Sequence, residues 1–176
     1  MDLREEIIEA IKEAGFDEYK EIDPAKDIIF SEAVFAACAE NKCGNYGTNY
    51  SCPPLSGDME ENKARFLKYD HAIIVNKIVD LGKHYEKMAT AGLEVAEAFE
   101  KLGKILDGKP VMLAGAGGCR LCAKCAALTG EPCRFPEKRR YSMEGSGMDI
   151  VKMSIEQKMT YNGGDHKLGF FMMVLY

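Results

Sequence analysis

Residues 71–79 read HAIIVNKIV and residues 111–115 read VMLAG. Both runs are short, apolar and bounded by polar or helix-breaking residues, the composition of strands buried inside a sheet. Between them Met88, Gly92, Val95, Phe99, Leu102 and Leu106 recur at alternating intervals of four and three. That spacing predicts one apolar stripe along a helix from about His84 to Leu106. Asp107, Gly108, Lys109 and Pro110 break it before the second run. Strand, long helix, strand is a βαβ unit, and it sets the expectation of an α/β fold.

Working outward, Leu3, Ile7, Ala10, Ile11 and Ala14 give a short amphipathic helix that Gly15 ends. The run DIIFSEAV at 27–34 has strand-like composition, and residues 58–68 predict another helix. On the other side, Ser146, with Asp149 three residues on, makes an N-terminal cap pattern for the stripe Met148, Val151, Ile155 and Met159, which predicts a last helix. Leu168 to Tyr176 is apolar and aromatic enough for a terminal strand buried in the sheet. The expectation is a single α/β domain over residues 1–176, a small mixed sheet with packed helices and two cysteine-rich metal-binding loops.

Composition narrows the function. The apolar fraction of 47% and charged fraction of 29% are those of a globular protein, and no apolar run approaches the roughly 18 residues of a membrane span. The first residues, MDLREEIIEAIKEAGF, lack the basic start, apolar block and small-residue cleavage site of a secretion signal. A cytoplasmic location follows as the expectation. The formal charge of −5 gives no global attraction to phosphate backbones, so nucleic acid is not an expected partner. Seven cysteines in 176 residues fall below the roughly 8–10% of a disulfide scaffold, and their number is odd. They read as reduced thiols with a chemical task.

Two stretches without helix or strand period carry all seven. In the second, Cys119, Cys122, Cys125 and Cys133 form C-x2-C-x2-C-x7-C, with Pro136 three residues after the last. Three cysteines at successive intervals of three let a tight loop curl so that their thiolates reach three corners of one cube, with the fourth approaching from the far side. Bacterial 4Fe-4S motifs begin with the same run. Zinc sites more often pair two C-x2-C knuckles, or knuckles with histidines, and zinc remains the alternative metal. Gly115, Gly117 and Gly118 leave room for backbone amides to approach sulfur, or form a plain turn after a strand.

The first stretch holds Cys38, Cys43 and Cys52. Three thiolates are one short of a closed site, so a second cube there would leave one iron for water, substrate or a non-cysteine ligand. Alternatively, these residues complete a single mixed site with the later block, or Cys38 is a small buried apolar residue. Pro53 and Pro54 stiffen the chain as it leaves. Ligands of α/β sheets gather beyond the strand ends, which makes adjacent sites an expectation.

Arg134, Lys138, Arg139 and Arg140 concentrate positive charge after the fourth cysteine. Arg134 and Arg139 are the candidate cofactor-binding cations, able to offset the negative charge of a thiolate cluster and raise its potential, or to hold an anionic substrate. A solvated charge run is the plain alternative. Glu144 is a candidate proton donor or oxygen ligand, whereas Asp149 is sufficiently explained as a helix-cap partner of Ser146. Tyr46 and Tyr50 lie between cysteines, where aromatic rings shield a cluster from water. His71, His84 and His166 stand at no metal-ligand interval, and no Walker loop, dinucleotide fingerprint or HExxH pattern occurs.

The segments KCGNYGTNYSCPP, AGAGGCRLCAKCA and PCRFPEKRRYSMEGSGMDI together resemble an uncharacterised prokaryotic family of predicted metal-binding proteins, a domain-of-unknown-function group with these same two cysteine blocks. The resemblance covers roughly residues 30–160. It implies metal binding by Cys43, Cys52, Cys119, Cys122, Cys125 and Cys133, with Cys38 matching less closely, and it implies no known reaction.

The leading expectation is therefore an iron-sulfur protein with one or two 4Fe-4S clusters and an electron-transfer or redox role. Its partner would be a redox protein or a small-molecule substrate. An enzyme using an open-site cluster as a Lewis acid, and a zinc-stabilised interaction module, are the two alternatives. Oligomeric state is not legible.

Overall fold

The computed structural model describes residues 1–176. Helix α1, Leu3–Ala14, starts on a capping box in which the Asp2 carboxylate accepts from the Glu5 amide at 2.8 Å and Glu5 accepts from the Asp2 amide at 3.2 Å. Strand β1, Glu18–Ile22, follows, then the short helices α2, Pro24–Asp27, and α3, Glu32–Ala37. After the first cysteine loop come α4, Met59–Leu67, β2, Ala72–Asp80, α5, Met88–Ile105, and β3, Met112–Gly115. The second cysteine loop leads into β4, Tyr141–Ser142, and the chain ends with α6, Ile150–Glu156, β5, Asn162–Gly164, and β6, Lys167–Leu175.

The sheet runs β1-β2-β6-β3-β4, with β5 folded back on β6. Every pairing is antiparallel except β3 with β4, so the sheet is mixed. The expected βαβ unit is present in β2, α5 and β3, but its two strands are not neighbours. Strand β6 lies between them, with Ile74 opposite Met173 and Leu113 opposite Val174. Most of β6 is apolar on both faces, so it is satisfied only where strands flank it and helices cover it on each side.

Strand alternation splits the core into two layers. Ile73, Val75, Met172 and Val174 face α1 and α5, where they meet Ile7, Ile11, Leu102 and Leu106. Ala72, Ile74, Phe171, Met173 and Leu175 face the opposite way and meet Phe66, Met148, Ile150 and Met153 from α4, α6 and their approaches. No helix is long and apolar enough to cross a membrane.

Three local expectations are corrected. The 27–34 run is not a strand: Phe30 makes one isolated bridge to Met148, and Ser31 then starts α3, its hydroxyl accepting from the Val34 amide at 3.3 Å. The side-chain cap outweighs a β-rich composition only four residues long. In α6 the buried face is Ile150 and Met153, while Val151 and Ile155 are exposed. Asp149 alone is the cap, accepting from the Lys152 amide at 3.0 Å, which ends the pre-helical turn later than Ser146 suggests. Helix α5 begins at Met88, four residues after the expected start, and both Met88 and Gly92 are exposed.

Strand β1, polar in sequence, is held at the sheet edge by Glu18. Its carboxylate accepts from Asn76 Nδ2 at 2.8 Å, the Thr160 amide at 2.9 Å and Thr160 Oγ1 at 2.7 Å. Burial alone would raise this carboxyl, but the three donors outweigh it and hold it below the ordinary range. A depressed carboxyl contributes stability above the usual pKa of about 4.3 and loses it as pH falls through the folded value. Replacing Glu18→Gln is expected to cost about 1–3 kcal/mol at neutral pH, because the fully buried Asn76 loses a partner. The gap to the parent should narrow in urea titrations at pH 3; a pH-independent gap would contradict this role.

Candidate metal centre

Both cysteine loops converge beyond the carboxyl ends of the parallel pair β3 and β4. Ala114 is in register with Tyr141 and Gly115 with Ser142, and the Met143 amide donates to the Gly115 carbonyl at 3.0 Å. Strand β3 therefore delivers Gly117 to Cys119, and β4 delivers Glu144, to the same end of the sheet. The first cysteine loop folds over that end, where the Ser142 amide donates to the Ser51 carbonyl at 3.1 Å.

The two loops are bonded to each other through residues between the cysteines. The Cys119 amide donates to Ser51 Oγ at 2.7 Å, and Asn49 Nδ2 donates to the Cys119 carbonyl at 3.0 Å. Asn49 Oδ1 in turn accepts from the Ser51 amide at 3.1 Å and from Ser51 Oγ at 2.8 Å. Tyr50 adds a bond from its hydroxyl to the Glu131 carbonyl at 2.7 Å. Asn49 and Ser51 are buried, so these bonds satisfy polar groups that water does not reach. Gly118 makes the approach possible: a Cβ there would stand 2.8 Å from Asn49 Nδ2 and 2.9 Å from Asn45 Oδ1.

Cys119, Cys122, Cys125 and Cys133 line one cavity, walled also by Ala126 and Phe135 and closed on the first-loop side by Asn49 and Tyr50. All four thiols are half-buried, and none of the seven cysteines is in a disulfide. No three Cys, His, Asp or Glu side chains are drawn together at the spacing of a single metal ion. Four thiols lining one apolar cavity are a donor set available to a metal.

The basic run divides in two. Lys138 pairs with Asp107 at 2.6 Å, and the buried Arg140 pairs with Glu100 at 2.9 Å and lies over the Phe99 ring. Arg134 and Arg139 line the cysteine cavity instead. Arg134 donates to the Lys124 carbonyl at 2.9 Å across the loop. Arg139 donates to the Tyr141 hydroxyl at 3.3 Å, and its guanidinium lies 5.3 Å from the Tyr50 ring centre. Burial lowers the Arg139 pKa, but the adjacent Cys133 thiol and Tyr141 raise it further, leaving the net direction upward.

Cys38, Cys43 and Cys52 form a separate neighbourhood that shares no cysteine with that cavity. Cys52 is 5% exposed, Cys38 is half-buried and Cys43 is exposed. Burial pushes the Cys52 thiol up to about 11; Ser51 pulls it back, while Cys43, Cys38 and Glu144 add to the rise. Cys38 is raised by burial, then by Cys43 and Glu144. Two thiols held protonated by burial first and by acidic neighbours next are an arrangement a bound cation reverses.

Of the aromatic candidates, Tyr50 lines the cavity, and Tyr46 is tied to its own loop through an amide bond to Asn41 Oδ1 at 3.0 Å. His71 precedes β2 and His166 sits in the turn between β5 and β6, outside both cysteine neighbourhoods. The residues missed from the sequence are Asn49 and Ser51. Their signal is faint: two small polar residues within four positions of Cys52, in a loop too short to solvate them all.

A family model described as Predicted metal-binding protein (DUF2284) matches residues 20–176, a longer span than the resemblance read from the cysteine segments. No curated protein and no solved structure matches the chain.

Proposed function

The chain belongs to the Predicted metal-binding protein (DUF2284) family, and from that premise we propose that it is an iron-sulfur redox protein with two cysteine sites side by side. The observation that carries this reading is the shared cavity of Cys119, Cys122, Cys125 and Cys133, bonded through Cys119 to the loop of Cys38, Cys43 and Cys52. Bound there, a 4Fe-4S cluster supplies reversible one-electron transfer. Asn49 and Ser51 fix the distance between the sites, and the Ser51 hydroxyl lies 3.7 Å from Cys52 Sγ while accepting from the Cys119 amide. Tyr50, Ala126 and Phe135 keep water from the four-thiol site. Arg139 offsets negative charge at Cys133.

The reading takes a redox protein as partner and a reducing compartment, the cytoplasm, as location, where thiols stay free to bind metal. A single zinc ion is the less favoured occupant, because zinc sites more often pair two C-x2-C knuckles, or knuckles with histidines, than carry a C-x2-C-x2-C run.

Purification without oxygen is expected to give a brown protein with about eight irons and matching acid-labile sulfide per chain. Cys122→Ala and Cys43→Ala should each lose about half, from different spectral components. Loss of all iron in either variant would indicate one shared site, and a colourless, folded, zinc-loaded chain would overturn the proposal. Arg139→Gln should lower the midpoint potential of one component by tens of millivolts with iron content intact; unchanged voltammetry would contradict its electrostatic role.

A further inference from the structure

Three thiolates leave the first site one protein ligand short, and one side chain stands ready to complete it. Glu144 begins the 3-10 turn Glu144–Ser146 immediately after β4. Its backbone carbonyl accepts a long contact from Cys38 Sγ at 3.9 Å, and the residue after it, Gly145, packs on Pro53, the neighbour of Cys52. Its Oε2 is out of reach of solvent and has no hydrogen-bond partner. The backbone amides of Gly117 and of Glu144 itself are the donors that partly offset its burial, and no Lys, Arg or His forms an ion pair with it.

A buried carboxylate oxygen without a donor costs free energy, and such groups in proteins are paired or bound to metal. The Gly117 and Glu144 amides reach the carboxylate, and Oε2 is left without a donor. The turn carrying it is nevertheless held firmly. The Gly145 amide donates to Ser142 Oγ at 2.9 Å, and Ser146 Oγ bonds to the Ser142 carbonyl at 2.6 Å and to Asn62 Oδ1 at 3.1 Å. Met143, Gly145 and Ser146 are buried around it, and a Cβ on Gly145 would meet Pro53 at 3.1 Å, so the turn packs directly against the chain leaving Cys52. Rigid support for an unsatisfied polar atom is what a preorganised ligand has, and a flexible surface acid lacks it. On its other side, Glu144 lines an apolar cavity of about 260 Å³ together with Val34, Met148, Tyr161 and Phe170.

We infer that the Glu144 carboxylate is the fourth protein ligand of the first site, one oxygen bound to the iron that Cys38, Cys43 and Cys52 leave without a thiolate. The inference rests on the iron-sulfur reading. It makes the two sites chemically unlike: four thiolates with a neighbouring arginine in one, three thiolates and a carboxylate in the other. A carboxylate is exchanged more readily than a thiolate, so the differentiated iron is the one open to a small-molecule ligand.

The test is Mössbauer spectroscopy of the full chain purified anaerobically from cells grown on iron-57, compared with Glu144→Gln and Glu144→Cys. The parent should show about one iron in eight with an oxygen-ligated signature. Glu144→Gln should lose that component and about one iron per chain, and Glu144→Cys should regain the iron with an all-sulfur signature. Iron-loaded protein with the same spectrum in all three would overturn the role of Glu144 and leave the cluster reading standing. Absence of iron from all three would overturn both. Glu144→Cys decides the matter even if Glu144→Gln folds poorly.

Discussion

The bond from the Cys119 amide to the buried Ser51 hydroxyl joins residues 68 positions apart, and the arrangement of both cysteine sites depends on it. Each loop has only short 3-10 turns, so most of its backbone groups need partners that helices and strands do not supply. Asn49 and Ser51 provide them from one loop to the other, closing a small network in which each buried polar atom answers another. The β3–β4 pair supplies the platform. Its parallel register sends the GAGG segment and the Glu144 turn to one end of the sheet, under the first loop. Without the inserted β6, β3 would have no antiparallel neighbour to hold it there.

The charges around the two thiol groups are opposite in kind. Arg139 stands at Cys133 with aromatic rings of Tyr50 and Tyr141 around it, so the four-thiol site has a cation built into its wall. The three-thiol site has a carboxyl instead, that of Glu144, buried in the turn whose carbonyl meets Cys38. Two clusters in such surroundings would differ in potential and in ease of ligand exchange, an asymmetry suited to a protein in which one centre relays electrons and the other meets a substrate.

Much of the fold was legible because burial leaves a strong periodic trace. The runs at 71–79 and 168–176 are apolar on both faces and become the two central strands. Strand β1 left no such trace, since Glu18, Tyr19, Lys20 and Glu21 sit at an edge and only Ile22 is buried. The place of β6 between β2 and β3 is a long-range pairing that no local pattern encodes. In α6, two candidate stripes exist, and the buried Met153 chose the one that Val151 and Ile155 do not belong to. For the site, cysteine spacing pointed to the four residues that share a cavity. The bonding role of Asn49 and Ser51 was not legible, because short polar side chains carry no period and acquire meaning only when the distant Cys119 backbone arrives.

The central claim is that two separate thiol sites, fastened together through Ser51 and Asn49, each hold iron. Its most direct test is diffraction from crystals grown without oxygen, recorded just above and just below the iron absorption edge. The account predicts two distinct iron peaks, one ringed by Cys119, Cys122, Cys125 and Cys133 and the other by Cys38, Cys43 and Cys52. A single peak shared by both loops, or a signal at the zinc edge in place of iron, would contradict it.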